Sequence, residues 1–381
     1  MLGVGRRYSR IVTVAALALA MAGCMASERN VDRQVSTANS WAAVALFDKT
    51  DAARDRALKT DTLEVLALSG GGADGAFGAG VLTGWTETGR RPKFDVVTGV
   101  STGALQSTFA FLGPEYDDQL KTLYTCTCSR DIFAHKGVVS GLLSESLMDT
   151  EALGEKLAQV LTDDVLDKVA AQHRAGRRLY VATTNLDAGV VTVWDMGKIA
   201  SSEHAWRGFL YREILRASAA VPGFFQPVLI HPHEDGQDEK GQMHVDGGVK
   251  APILLRSFML QRPARARNVY MLVNGGMRLT TEHAAVSSSV MSIAKKSIAE
   301  MMRGLLYKTV YQAYVVSRQS HAAFNLGYVP DDVPETRNPL EFDPAEMRVL
   351  FDAGRDAVRR TDFWKPEPPR LEQTERIASR R

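Results

Sequence analysis

The chain has 381 residues, 45% of them hydrophobic and 24% charged, with 46 Lys and Arg against 44 Asp and Glu for a formal net charge of +2. Such a composition excludes wholesale disorder, a collagen-like repeat and a multi-span membrane protein, and the length suits one or two domains with a core of ordinary size. The balanced charge gives no electrostatic case for nucleic acid as a partner, and the three cysteines cannot build a disulfide framework.

At the N-terminus, Met1 to Arg10 carries Arg6, Arg7 and Arg10 and no acid, and Ile11 to Ala22 is a run of apolar and small residues broken only by Thr13. A positive segment, a short apolar run and small residues before a cut describe a secretory signal too short to span a bilayer as a helix. The run ends in Met21-Ala22-Gly23-Cys24, which resembles a bacterial lipoprotein lipobox with Met21 in the usual Leu position. That resemblance implies removal of residues 1–23 and lipidation of Cys24. A plain signal peptide with an incidental cysteine, and twin-arginine export through Arg6-Arg7, are the alternatives. Met25 stands after Cys24 where an inner-membrane retention signal would be Asp, so the expected location is the outer membrane, lipid-anchored, on its periplasmic face. Residues 24–62 read as a polar spacer.

The main domain is expected over 63–276. Leu63 to Leu68 is a short apolar run closed by Ser69-Gly70-Gly71-Gly72, the pattern of a strand buried in a parallel sheet. A helix follows over Ala76 to Thr88, stopped by Gly89, then a strand at Phe94 to Thr98 and a helix at Ala104 to Leu112. Thr150 to Arg174 reads as one or two amphipathic helices. Strands are expected at Arg178–Thr183, Val190–Trp194, Gln242–Val249 and Asn268–Asn274. This alternation argues for an α/β domain with a largely parallel sheet. Cys126 and Cys128, two residues apart, suit neither a disulfide nor a zinc site and read as small packed residues. Beyond Gly276 the pattern turns helical: Val290, Ile293, Ile298, Met301, Leu305 and Val310 fall near helical spacing and read as a packing stripe, in a C-terminal helical region over 277–361. Residues 362–381, rich in Pro, Glu and Arg, are expected to form a loose tail.

Two glycine motifs carry the chemistry. Gly70-Gly71-Gly72-Ala73-Asp74-Gly75 offers bare backbone N–H groups at a helix N-terminus, where negative charge is favoured. It also spells the dinucleotide fingerprint, but that reading needs an acid at the end of the second strand. Asp95 begins that strand instead. What ends it is Gly99-Val100-Ser101-Thr102-Gly103, a G-x-S-x-G nucleophile elbow between a strand and a helix. Ser101 would lie at the positive end of that helix, which favours an alkoxide, and it needs a base. Of the eight histidines, none stands in a clear strand-to-loop position after an acid, although His244 and His321 stay open as bases for a conventional Ser-His-Asp esterase. Met243-His244-Val245-Asp246-Gly247-Gly248 instead ends a strand on an Asp followed by two glycines. His231-Pro232-His233-Glu234-Asp235 is a weak metal candidate, and Trp194, Phe224 and Phe225 could line an acyl pocket.

A glycine-rich loop, then G-x-S-x-G, then D-G-G resembles the patatin-like phospholipase family. Arg216 to Pro222 and Thr183 to Asp187 resemble further segments of that family, so the likeness spans about Leu63 to Gly276. It implies a three-layer α/β sandwich with a largely parallel central sheet, to which this chain adds C-terminal helices. It also implies a serine lipid acyl hydrolase with Ser101 as nucleophile, Asp246 as proton acceptor and the N–H groups of Gly71 and Gly72 as the oxyanion hole, without cofactor or metal. The substrate would be a membrane phospholipid or another lipid ester. Two departures stand out: Asp74 occupies a position where many members carry Arg or Lys, and Val249-Lys250-Ala251-Pro252 lacks the Asn often found after D-G-G. A catalytically idle lipoprotein that uses the fold for binding is the alternative from another class.

Overall fold

The computed structural model describes residues 60–135, 148–231, 241–277, 285–334, 336 and 338–369. Cys24, with the expected signal and nearly all of the spacer, lies outside them, as do His233, Glu234 and Asp235.

In chain order the first elements are β1 (Thr60–Leu68), α1 (Gly75–Glu87), β2 (Val96–Gly99), α2 (Thr102–Leu112), α3 (Asp117–Thr125), β3 (Ala134–His135) and β4 (Met148–Asp149). There follow α4 (Glu151–Val160), α5 (Asp163–Arg174), β5 (Arg178–Asn185), β6 (Val190–Asp195), α6 (Met196–Ser201) and α7 (Arg207–Ser218). The last are β7 (Val228–Ile230), β8 (Gln242–Asp246), β9 (Ala264–Val273), α8 (Val290–Gln319), β10 (Ala323–Tyr328) and α9 (Pro344–Ala357). The expected strands and helices are present, with ends displaced by a few residues.

Side chains on β1 alternate between two cores. Leu66 and Leu68 join one with residues of α1, α2, α5, α7 and α9, while Leu63, Val65 and Ala67 join the other with Val269, Met271 and Val310. A strand covered on both faces is apolar on both, which the run Leu63–Leu68 reported with the exception of half-buried Glu64, whose carboxylate accepts from Asn268 Nδ2 at 2.9 Å. The result is a helix–sheet–helix sandwich. β10, β9, β1, β2 and β5 are parallel neighbours in that order, so Leu68, Gly99 and Val273 all lie toward one end of the sheet. β3 and β4 form a separate two-stranded ribbon.

The antiparallel part of the sheet decides where the site falls. β6 runs along β5 from Tyr180 to Asn185 and takes one edge. β2 pairs with Arg178 to Val181, and β8 pairs antiparallel with Thr183 to Asn185. Both spans overlap that of β6, so β2 and β8 must share the opposite edge of β5. Running in opposite senses along it, they meet end on. Gly99 stands beside Val181 and Asp246 beside Thr183.

Three C-terminal expectations are corrected. The region 277–361 is not helical throughout, because β10 is an edge strand of the main sheet and α9 packs along α1. Gly80 and Gly354 permit that packing: a Cβ on Gly80 would lie 1.9 Å from the Phe351 carbonyl oxygen. The stripe on α8 packs only in part, with Val310 fully buried but Ile293 and Met301 54% and 65% exposed. Nor is the chain loose from residue 362. Trp364 stacks on Trp85 with ring centroids 4.7 Å apart, Phe363 is buried, and Lys365 and Leu326 exchange backbone hydrogen bonds. Two large aromatic surfaces outweigh the prolines and charges around them.

Candidate active site

Ser101 follows β2 and precedes the first residue of α2, with φ 55° and ψ −126°. A side chain in that left-handed region is strained and persists only where its surroundings fix it. A Cβ on Gly103 would stand 2.5 Å from the carbonyl oxygens of Leu68 and Ser69, and one on Gly99 would stand 2.4 Å from that of Gly103. Both flanking glycines are therefore dictated by close backbone approach. The turn is also braced from outside: the Ser101 N–H donates to Ser218 Oγ at 3.0 Å, and Ser218 Oγ donates to the Ala182 carbonyl at 2.7 Å.

Asp246 arrives on β8 with its N–H donating to the Ala220 carbonyl at 2.9 Å. The segment Arg216–Pro222 thus holds both sides of the site, the elbow through Ser218 and the carboxylate through Ala220. Asp246 Oδ1 accepts from the Gly248 N–H at 2.6 Å. Its Oδ2 is buried with no fully formed hydrogen bond, while the Ser101 hydroxyl is near enough to stabilise the charged carboxylate. Such contacts are often loose in a free site and tighten around a bound substrate. Burial dominates, and pushes the Asp246 carboxyl up to about 6 against the smaller pulls of Ser101 and the Gly248 N–H. Gly247 lies against the Ala182 carbonyl, and Gly248 against Asp246 Oδ1 and the Met302 methyl of α8.

The glycine loop closes the third side. Gly70 is adjacent to Ser101, since a Cβ there would be 3.2 Å from the Ser101 Cβ. Gly71 presses on the Asn274 carbonyl, and Gly72, at φ +57°, on the Pro339 carbonyl; a Cβ would approach those oxygens to 2.1 and 2.0 Å. Gly75 begins α1, and its carbonyl accepts from Gln106 Nε2 at 2.5 Å. The N–H groups of Ser69, Gly70, Ala73 and Asp74 all donate to backbone carbonyls, whereas those of Gly71 and Gly72 donate to none among the described residues.

The other sequence candidates lie elsewhere or are engaged. His244 Nδ1 is 2.8 Å from Thr183 Oγ1, which also accepts from Trp194 Nε1 at 2.8 Å. Thr183 Oγ1 is thus shared between Trp194 and His244, and Nδ1 of the imidazole is engaged in the Thr183–Trp194 cluster. Burial pushes the imidazole down to about 4, Asp187 opposing, so it is neutral at pH 7 and its Nδ1 is engaged by Thr183. His321 precedes β10 and is therefore at the far end of the parallel sheet from Ser101. Asp95 also lies at that far end, where its Oδ2 accepts from the Glu64 N–H at 2.9 Å, so it cannot serve a ribose at the glycine loop. Trp194 and Phe225 are buried in the core. No cluster of three His, Cys, Asp or Glu side chains is placed to hold a metal among the described residues. Two contributors escaped the sequence reading: Ser218, legible only as part of a family-like segment, and Asn274, whose carbonyl lies against Gly71.

A family model for patatin-like phospholipase matches residues 66–259, just over half the chain. The protein belongs to the patatin-like phospholipase family. The match contains the glycine loop, the elbow and Asp246-Gly247-Gly248, and stops short of β9 and everything after it. Members of this family are lipid acyl hydrolases. Similar solved structures include VipD from Legionella pneumophila, at 13% identity and TM-score 0.35 over 89% of this chain and 72% of that one. Human GIVD cytosolic phospholipase A2 in complex with methyl gamma-linolenyl fluorophosphonate is similar at 10% identity and TM-score 0.31, over 80% of this chain and 59% of that one. Among curated proteins none matches the sequence.

Proposed function

We propose that this patatin-like protein hydrolyses the carboxylic ester of a membrane phospholipid or related lipid through a Ser101–Asp246 dyad. Ser101 Oγ attacks the ester carbonyl while Asp246 accepts its proton. The negative charge that develops on the carbonyl oxygen faces the unoccupied N–H groups of Gly71 and Gly72, each such donor being worth about 3 kcal/mol of barrier. Asp246 then returns the proton to the departing alcohol, leaving an acyl group on Ser101. Water activated by the same carboxylate releases the fatty acid. The observation that carries this reading is the buried carboxylate beside Ser101, its proton affinity raised so that it can act as a base near neutral pH. A fluorophosphonate probe tests it. Mass spectrometry of the labelled protein should place the adduct on Ser101, and failure to label folded protein would remove the hydrolase reading.

His244 distinguishes the dyad from a histidine-dependent esterase. His244→Ala should cost tenfold or less in kcat, about 1.4 kcal/mol, because it disturbs only the Thr183–Trp194 cluster. A loss as large as that from Ser101→Ala, in folded protein, would identify an imidazole as the base.

The lipobox-like Ala22-Gly23-Cys24 supports a lipid-anchored form at the periplasmic face of the outer membrane, beside an insoluble substrate. Two or more acyl chains hold a protein stably where one holds only marginally. Among the described residues no helix is long and apolar enough to cross a membrane. Wild-type protein should therefore fractionate with membranes and incorporate labelled fatty acid, and Cys24→Ser should lose both properties. Soluble, unlabelled wild-type protein in the periplasm would sink the anchor.

A further inference from the structure

The glycine loop is held by a part of the chain that lies far outside the family match. The segment from Val329 to Phe342 is fixed at both ends: the Val329 N–H donates to the Gly275 carbonyl at 3.1 Å, and Phe342 exchanges hydrogen bonds with Ser129, N–H to Oγ at 2.8 Å and carbonyl to N–H at 3.0 Å. Between these anchors Thr336 and Pro339 of this strap meet the loop. The Pro339 carbonyl accepts the Ala73 N–H at 2.8 Å and lies against Gly72. Thr336 donates twice to Asp74 Oδ1, from its N–H at 3.1 Å and from its hydroxyl at 2.7 Å. Both side chains are more than nine-tenths buried, with Asp74 3% and Thr336 8% exposed.

We propose that Asp74 and Thr336 form a positioning latch that holds the Gly71 and Gly72 N–H groups toward the reacting carbonyl. The inference rests on the hydrolase reading above. Its physical content is a selection among donors. The loop offers consecutive N–H groups at the start of α1, and the strap takes the one on Ala73, leaving those on Gly71 and Gly72 unused. Without the strap Ala73 would be released, and Gly72, which sits at positive φ, would be free to turn its peptide away. Electrostatic stabilisation of a transition state depends on donors being in place before the charge appears, because reorienting them during the reaction costs what they would contribute. The latch also gives the buried Asp74 a role beside the donors. An acid so close to the donors opposes a developing negative charge, but here its Oδ1 serves two donors of the strap. A buried carboxyl oxygen that accepts two hydrogen bonds is a firm anchor, since leaving those buried donors unpaired is costly.

The test compares Thr336→Val, Thr336→Ser and Asp74→Ala with wild type on a soluble short-chain ester, with active sites counted by fluorophosphonate titration and folding checked by thermal melting. Thr336→Val keeps the backbone donor and the side-chain volume and loses only the hydroxyl. It should lower kcat per titrated site about tenfold while KM stays within about twofold, since an interaction realised in the transition state lowers kcat. Thr336→Ser restores the hydroxyl and should recover most of the rate. Asp74→Ala should lose about 100-fold, because both donors of Thr336 are left buried without an acceptor. If Asp74→Ala fails to fold, the two Thr336 variants still decide. A Thr336→Val enzyme with wild-type kcat, a defect confined to KM, or an equal loss in Thr336→Ser would each overturn the latch. Failure of the hydrolase reading shows differently, as a wild-type protein that neither labels nor turns over ester, and it takes the latch with it.

Discussion

Ser101→Ala and Asp246→Asn are each expected to lower kcat for ester hydrolysis by about 1000-fold or more, with the double variant hardly worse than either single one. Groups that act as one unit are strongly non-additive, because losing either partner disables the same proton transfer. In Ser101→Ala no acyl-enzyme can form. In Asp246→Asn the serine keeps its strained position, since Ser218 and the flanking glycines hold the elbow, but its proton has no acceptor. His244 is a poor substitute, with Nδ1 engaged by Thr183 and its proton affinity depressed to about 4. The pH profile carries the same assignment. The base must be ionised to act, so kcat/KM should rise with pH through an apparent value of about 6, the level to which burial pushes Asp246. Steady-state rates of the four proteins on one soluble ester decide the matter. Additive losses, or activity that falls as pH rises from 5 to 7, would mean that Ser101 and Asp246 do not form one catalytic unit.

What could be read in the sequence was whatever a short stretch of chain dictates by itself. Ser101 was visible because Gly99 and Gly103 flank it within five residues, and steric collision at a tight turn leaves no other choice at those positions. Asp246 was visible because a strand ending in two glycines must turn at once. What escaped was contact between distant segments: Ser218 meets Ser101 across 117 residues, and Asp74 meets Thr336 across 262. A serine near the end of a helix has no local signature of the peptide it will brace. The meeting of β2 and β8 is also invisible locally, because apolar alternation reports a strand but not its direction in the sheet. Composition misled at the C-terminus. Pro and charge around Phe363 and Trp364 suggested a loose tail, yet two aromatic rings against Trp85 and Phe77 suffice to fix the chain. On α8 the helical spacing was right and the inference of packing was half right, because periodicity shows that a helix has an apolar face and not how far the body of the protein extends beneath it.

The buried carboxylate proposed as the base should also weaken the fold, and Asp246→Asn exposes this. A carboxyl with an ordinary value of 3.8 that burial raises to about 6 in the folded protein binds its proton more tightly when folded than when unfolded. Below pH 3.8 both states are protonated and the group is neutral in its effect. Between 3.8 and 6 the unfolded chain ionises first, so each step up in pH favours unfolding. Above 6 both states are ionised and the full penalty stands, about 3 kcal/mol by proton linkage. The substituted amide keeps the shape and the Oδ1 acceptor for the Gly248 N–H and carries no charge to desolvate. Its NH2 group must still lie beside the Ser101 hydroxyl, which can accept from it. Asp246→Asn should therefore be inactive and yet more stable than wild type at pH 7 by up to about 3 kcal/mol, the advantage shrinking through pH 5 and vanishing near pH 4. Urea denaturation of both proteins at pH 4, 5, 6 and 7 measures it. Ser101→Ala sharpens the test, since removing a hydroxyl that favours the charged form should move the pH-dependent loss of stability slightly higher and leave the penalty at pH 7 larger than in wild type. A variant Asp246→Asn that is equally or less stable than wild type at pH 7 would show that the carboxylate is compensated in the folded state, and the base would then need to be sought at a group whose ionisation the fold does strain.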